Sequence, residues 1–295
     1  MSASGVAGRA RPALMLLLAL VLAALAWEGY KLVGGEDGGS LFGVRVLPRA
    51  DDVSMPHLWE IGQRLTAPEL TAAGSRTVLA AVLSAMWFTF RVAFVGWLIG
   101  VVVGLGLAVL MQRVKVAEAA LLPYVVVSQT VPLVALAPLV VGWGGRLTIF
   151  GEPWQPWMSV ALISAYLAFF PVAVGALRGL QSPSTTQVEL LHCQAATWWQ
   201  TLVHLRLPAS VPLVVPALRL AAAASVVGAI VAEISTGTRG GIGRLIIEYA
   251  QSATGDPAKP FTALLGAALL GVLGAALVTL IELALRRYAT TEVRP

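Results

Sequence analysis

Long apolar runs separated by short polar stretches set the pattern of this chain. A helix needs roughly 20 apolar residues to cross a hydrocarbon core of about 30 Å. On that measure the runs predict about six membrane-spanning helices: Ala13 to Val33, a continuous run within Thr89 to Met111, Ala119 to Trp143, Trp157 to Leu177, Val214 to Ile234, and Phe261 to Leu285. Gly96, Gly100 and Gly104 recur every fourth residue in the second run. Small residues so placed let helices approach closely in lipid. The expected fold is therefore an all-α integral membrane bundle.

The polar stretches give the layout. Residues 1–34 form an N-terminal transmembrane helix, and residues 35–76 an external loop that opens on Glu36 and Asp37. Leu58, Ile61, Leu65, Leu70 and Leu79 predict helices lying on the membrane surface over its later part and into the next span. Residues 77–288 form the embedded core, containing a long polar connection over 181–212, and residues 289–295 a tail. Lys and Arg concentrate on the cytoplasmic side. Arg9, Arg11, Arg113, Lys115, Arg178, Arg206, Arg286 and Arg287 all fall on one side, which puts both termini in the cytoplasm, against Arg146, Arg239, Arg244 and Lys259 opposite. Arg9, Arg11 and Ala24-Leu25-Ala26 also fit a cleavable signal, but the run continues through Trp27 and Tyr30, which suit a retained anchor.

Composition agrees with the pattern. Of 295 residues 58% are hydrophobic and 12% charged, with a mean hydropathy of +0.82, values outside those of a soluble domain. The net charge of +5 sits at span ends rather than in a basic stripe with interleaved aromatics, which excludes nucleic acid as a partner. Cys193 stands alone, and His57, His192 and His204 are dispersed, so no metal site, catalytic constellation or cofactor is expected. No phosphate loop G-x-x-x-x-G-K-[ST] occurs, so the chain is not an ATP-hydrolysing enzyme.

Within the spans, Pro123, Pro132 and Pro138 interrupt the third. Each removes a backbone donor, and the freed carbonyls are tolerated where they face protein or a water-filled cavity. Ser128, Gln129, Thr130 and Pro132 are therefore candidate pore-lining residues at mid-membrane depth. Arg91, Arg219 and Glu233 are charges near membrane depth. Arg91 lies close to one end of its span and suits snorkelling, while Arg219 and Glu233 are candidates for gating or structural pairing.

The connection between the fourth and fifth spans is the most specific stretch: ELLHCQAATWWQTLVHLRLPASVP, Glu189 to Pro212. Leu191, Ala195, Trp198 and Leu202 recur at three- and four-residue intervals, Trp199, Val203 and Leu205 broaden the same face, and together they predict one amphipathic helix, capped by Ser184 and limited by Pro208. The segment resembles the cytoplasmic coupling loop of binding-protein-dependent ABC importer permeases. That pattern is Glu-Ala-Ala, three residues, Gly, nine residues, Ile, one residue, Leu-Pro. Glu189, Leu205, Leu207 and Pro208 take matching positions; Leu190 and Leu191 replace the paired alanines, and Ala195 replaces the glycine. Since alanine has little access to left-handed backbone angles, a straighter docking helix is expected here.

The resemblance extends from Thr89 to Tyr288. PALRLAAAASVVGAIVAEI followed by Gly241-Ile242-Gly243 resembles that family's fifth span and outer turn, and SQTVPLVALAPLVVGW resembles the third span of its nitrate, taurine and sulfonate branch. It implies a type I permease fold in the cell membrane, ATP-binding subunits, an extracytoplasmic solute-binding protein, a second permease copy forming a homodimer, and ATPase docking by Glu189, Leu191, Ala195, Trp198, Leu202, Arg206, Leu207 and Pro208. Implied solutes are sulfonates or taurine, nitrate, or a vitamin-related heterocycle such as a thiamine-precursor pyrimidine or riboflavin. A secondary transporter without an ATPase is the alternative; it would show inverted repeats and mid-span acids.

Overall fold

The computed structural model describes residues 4–35, 38, 40–41, 44–45, 48–70, 74–149 and 151–289. Glu36, Asp37 and the tail from residue 290 lie outside the described residues, as do the side chains of Arg9, Arg11, Arg286 and Arg287. In chain order the helices are α1 (Ser4–Val33), α2 (Leu58–Thr66), α3 (Val78–Arg113), α4 (Lys115–Ser128), α5 (Leu133–Gly144), α6 (Pro156–Leu180), α7 (Thr185–Cys193), α8 (Trp198–Thr201), α9 (Leu207–Thr236), α10 (Ile242–Gln251) and α11 (Ala258–Ala289). Two antiparallel hairpins accompany them: β1 (Ser40–Leu41) with β2 (Val44–Arg45), and β3 (Thr148–Ile149) with β4 (Glu152–Pro153).

Among the described residues four helical stretches are long and apolar enough to cross a membrane: α3, α6, the stretch from α8 through α9, and α11. The first predicted run forms the 30-residue α1. The third does not form one straight crossing. It divides into α4 and α5, bent by 101° across Gln129–Pro132. Pro132 cannot donate to the ladder, and it disfavours helical angles at Val131. Neither half, at about 21 Å and 18 Å, reaches across alone. Helix α3 begins at Val78, well before Thr89, so Leu79 belongs to a span; in the loop only α2 is a surface helix among the described residues.

The chain forms two compact units, residues 1–81 with 248–263 and residues 82–247 with 264–295. In the first, polar contacts gather the external loop. Trp27 Nε1 donates to the Pro56 carbonyl at 3.1 Å, and Glu28 accepts from the Leu58 N–H at 2.9 Å. Lys31 reaches Asp52 at 2.5 Å, which holds that carboxyl below its usual range. Arg64 pairs with Asp256 at 2.5 Å. Glu69 accepts from Arg76 at 2.6 Å and from the Tyr249 hydroxyl at 2.9 Å, while Lys259 donates to its carbonyl at 2.9 Å.

Burial pushes the Glu69 carboxyl up. The hydrogen bonds from Arg76 and Tyr249, with the charges of Arg76 and Lys259, outweigh it and hold the group below its ordinary value. A depressed carboxylate contributes stability above its unfolded value and loses it as pH falls through the folded one. Acidification should therefore loosen this unit, and Glu69→Gln should flatten that dependence when the acid unfolding of the two proteins is compared.

In the second unit, glycines set the helix spacing. Gly96, Gly100 and Gly104 lie against Ala161, Ser164, Ala165, Ala168, Phe169 and Val172 of α6, leaving no room for a Cβ. Gly175 and Gly179 admit Ala217 and Ser210 of α9 in the same way. The Ser164 hydroxyl donates to the Ser225 carbonyl at 2.7 Å, and Trp97 Nε1 donates to the Leu218 carbonyl at 3.2 Å. The expected glycine stripe is thus a backbone-to-backbone seam.

Candidate functional site

The connection between α6 and α9 is an elbow of two helices rather than one. The Ser184 side chain accepts from the Gln187 N–H at 3.3 Å, and the Gln187 side chain accepts from the Ser184 N–H at 3.0 Å, a capping box that starts α7. The helix stops because Ala195 takes φ +55, the one left-handed non-glycine angle among the described residues. The Ala195 N–H donates to the His192 carbonyl at 2.9 Å and the Ala196 N–H to the Leu191 carbonyl at 3.0 Å. Those two bonds make a Schellman ending. Thr197 and Gln200 then form a second capping box and start α8.

The expectation of a straighter helix is therefore corrected. Two satisfied end carbonyls and a ready cap for the next helix outweigh about 1–2 kcal/mol of steric cost at one alanine. Ala195→Gly should remove that cost and raise the unfolding free energy by about 1 kcal/mol, measured by chemical or thermal unfolding in detergent.

Pro208 does not limit the segment either. From Leu202 to Arg206 the helix widens to a π turn, with the Leu207 N–H donating to the Leu202 carbonyl, and continues as α9 through Pro208, Pro212 and Pro216. The wider turn redirects the ladder around a residue that has no donor to offer.

This geometry sorts the residues expected to dock. Leu202 is only 2% exposed, packed with Met111, Ala176, Leu177 and Leu180, and Trp198 packs against the same cluster beneath the Arg113 guanidinium, 4.8 Å from its ring. Arg206 donates to the Leu180 carbonyl at 2.8 Å, capping the end of α6. These three residues hold the elbow to the bundle. Leu191 is half-buried, and Glu189, Ala195, Leu207 and Pro208 are exposed. The large apolar groups presented outward are Leu190, 60% exposed, and Trp199, 62% exposed, with Val203 beside them. The predicted face is thus divided: Trp198 and Leu202 at its centre turn into the bundle, while Trp199 and Val203 on its border stay outward.

At the bend, the Ser128 and Thr130 hydroxyls bond back to the Val125 and Val127 carbonyls at 2.7 and 2.8 Å, and Gln129 donates to Ser128 at 3.3 Å. Pro132 caps the start of α5. Tyr166 of α6, which no motif marked, donates its hydroxyl to the freed Ser128 carbonyl. Beside it, α3, α5 and α6 line an open-sided cavity of about 340 Å³ with apolar and aromatic side chains, among them Ile99, Leu136, Tyr166 and Phe169.

At the far end of α9, Glu233 is fully buried. Its carboxyl group accepts from the Thr89 hydroxyl at 2.8 and 3.0 Å and from the Gly243 N–H at 2.9 Å, and Thr89 accepts from the Ile242 N–H at 2.8 Å. Gly241 lies flat on the carboxyl, where a Cβ would collide with it. Glu233 thus fastens the Gly241-Ile242-Gly243 turn to α3. Arg219, its companion among the expected charges, is exposed farther back on α9 and apart from this cluster.

A family model described as binding-protein-dependent transport system inner membrane component matches residues 100–290. The chain is 30% identical over 237 residues to the formylaminopyrimidine transport permease protein ThiX of Halalkalibacterium halodurans, covering 76% of this chain and 88% of that one. It is 29% identical over 196 residues to a putative aliphatic sulfonates transport permease protein of Bacillus subtilis, covering 66% and 67%. Against the riboflavin transport system permease protein of Chloroflexus aurantiacus it is 30% identical over 135 residues, covering 45% and 46%. In fold it is similar to a chain from a crystal structure of an amino acid ABC transporter with histidines, at 22% identity and a TM-score of 0.52, covering 71% of this chain and 94% of that one.

Proposed function

From the premise that this chain belongs to the binding-protein-dependent transport system inner membrane components, we propose that it is the permease subunit of an ATP-driven importer. It works with a second permease copy, two ATP-binding subunits and an external solute-binding protein. The elbow of α7 and α8 faces the cytoplasm, as do both termini, and an ATPase subunit grips it through Leu190, Trp199 and Glu189.

The elbow carries this reading. It is an exposed two-helix projection, broken at the position of the family's glycine and rooted in the bundle by Trp198, Leu202 and Arg206. In the proposed cycle, nucleotide closes the ATPase pair, the elbow moves with its groove, and the spans exchange between two arrangements that ligands bind differentially.

A small planar heterocycle, the class of solute named for the formylaminopyrimidine and riboflavin relatives, is the proposed cargo. The cavity beside the bend supports it over a sulfonate or nitrate. Its lining carries no cation, and an anion stripped of water there would cost several kcal/mol. The test is uptake into proteoliposomes holding the permease with its ATPase and loaded binding protein. Accumulation should require ATP and both partners; uptake that proceeds without the ATPase would establish a secondary transporter instead.

A further inference from the structure

In an unbroken helix the Ser128 carbonyl would accept from the N–H of residue 132. Proline stands there and has no hydrogen to donate. The Val131 N–H approaches only to 3.4 Å, long for such a bond. The Tyr166 hydroxyl, reaching across from α6, supplies the missing donor. Pro132 and Tyr166 therefore act as a pair: the first empties one position of the ladder and the second fills it.

The two sides of this bond differ in rigidity. Helix α6 is held by its glycine seam with α3 and by Ser164, two residues before Tyr166, whose hydroxyl donates to the Ser225 carbonyl at 2.7 Å. On the other side the ladder is broken, and α4 and α5 meet at 101°. The Tyr166 ring also lines the cavity beside the bend, with Phe169 one turn along α6 and the two ring centroids 5.9 Å apart. Leu133, Leu136 and Val140 complete the lining from α5, where their spacing puts them on one face. The angle of the bend thus sets the width of the cavity, with α6 its fixed wall and α5 its moving one.

We propose that Tyr166 is a positioning residue, which holds the broken span at this angle and so keeps the cavity shaped for cargo. Its bearing on cargo rests on the reading of that cavity as the solute site. Once the hydroxyl leaves the Ser128 carbonyl, α5 is released to rock against α6.

Spin labels on Val116→Cys of α4 and Leu139→Cys of α5, both at exposed positions, read the angle by double electron–electron resonance. The full-length chain is used in nanodiscs, with Cys193→Ser removing the native exposed thiol. Between these positions the backbone spans about 22 Å at a turn of 101° and about 34 Å in a straight helix. The parent chain should give the short distance. Tyr166→Phe keeps the ring and loses the donor; it should raise the ratio of longer to short distances about fivefold, the worth of one net hydrogen bond. Pro132→Ala returns an N–H to the ladder, so it should lengthen the distance by itself and leave Tyr166→Phe with no further effect. Phe169→Ala, which thins the cavity wall without touching the bond, should not move the distance. Distances unchanged in Tyr166→Phe, or shifted by it equally with and without Pro132→Ala, would overturn the proposal. If Tyr166→Phe fails to fold, Pro132→Ala decides alone, an unaltered distance overturning the proposal. Uptake independent of ATP would remove the importer reading and leave these distances as they are, whereas unchanged distances would remove the role of Tyr166 and leave ATP-driven uptake intact.

Discussion

Replacing Glu233 with alanine is expected to lower the unfolding free energy by about 3 kcal/mol, the largest loss of stability from any single polar side chain in the second unit. Three effects add. The Gly243 N–H loses its acceptor, the Thr89 hydroxyl loses both of its own, and a void opens where Gly241 lies on the carboxyl. Water does not readily repair such a loss at membrane depth. Glu233→Gln keeps the shape and one acceptor, and should cost about 1 kcal/mol. Gly241→Ala should resemble Glu233→Ala, because its Cβ displaces the same group. Equilibrium unfolding in mixed detergent micelles measures all three. A loss below about 0.5 kcal/mol for Glu233→Ala, the scale of an ordinary surface substitution, would mean that the turn is held by something else.

The second large effect is on assembly. Trp199→Asp should weaken association with the ATPase subunit by about 2–4 kcal/mol, roughly 30- to 1000-fold, as for a buried aromatic anchor at an interface. Trp199 is exposed in the chain itself, so its own unfolding should change by less than about 0.5 kcal/mol. Leu202→Asp should do the reverse in order, destabilising the chain first, because that side chain lies within the bundle. Co-purification of the ATPase with each variant, beside its melting temperature, separates the two. Undiminished capture by Trp199→Asp would sink the docking face proposed for the elbow.

Apolar length located the spans because it is a property of each segment alone, and the glycine stripe of α3 was legible for the same reason. What depended on distant partners was not. The prolines around Gln129 announced an interruption, but its angle of 101° accompanies a contact from Tyr166, far along the chain. Glu233 near a helix end reads alike whether solvated or buried; its partner Thr89 is 144 residues away. Glu69 and Tyr249, separated by 180 residues, gave no local sign of pairing.

The elbow failed differently, through weighing rather than distance. Ser184 was recognised as a cap, yet the equivalent signal at Thr197-x-x-Gln200 sat inside a run whose helical periodicity hid it. Reading it would have announced a second helix start, and therefore a turn at Ala195 despite the residue type. A single proline usually marks a stop, but the π turn before Pro208 lets the helix pass.

That passage makes Trp198 to Thr236 a single rod of 39 residues, about 58 Å from tip to tip. Its near tip carries the elbow and its far tip the Glu233 fastening. Pro208, Pro212 and Pro216 thin the internal bonding over the half next to the elbow, so bending is confined to that half and the stretch from Ala217 to Thr236 stays stiff. A push on Trp198 would then flex the near half and arrive at the glycine turn as a tilt of the stiff one, gearing one face of the membrane to the other without any relay of side chains between them.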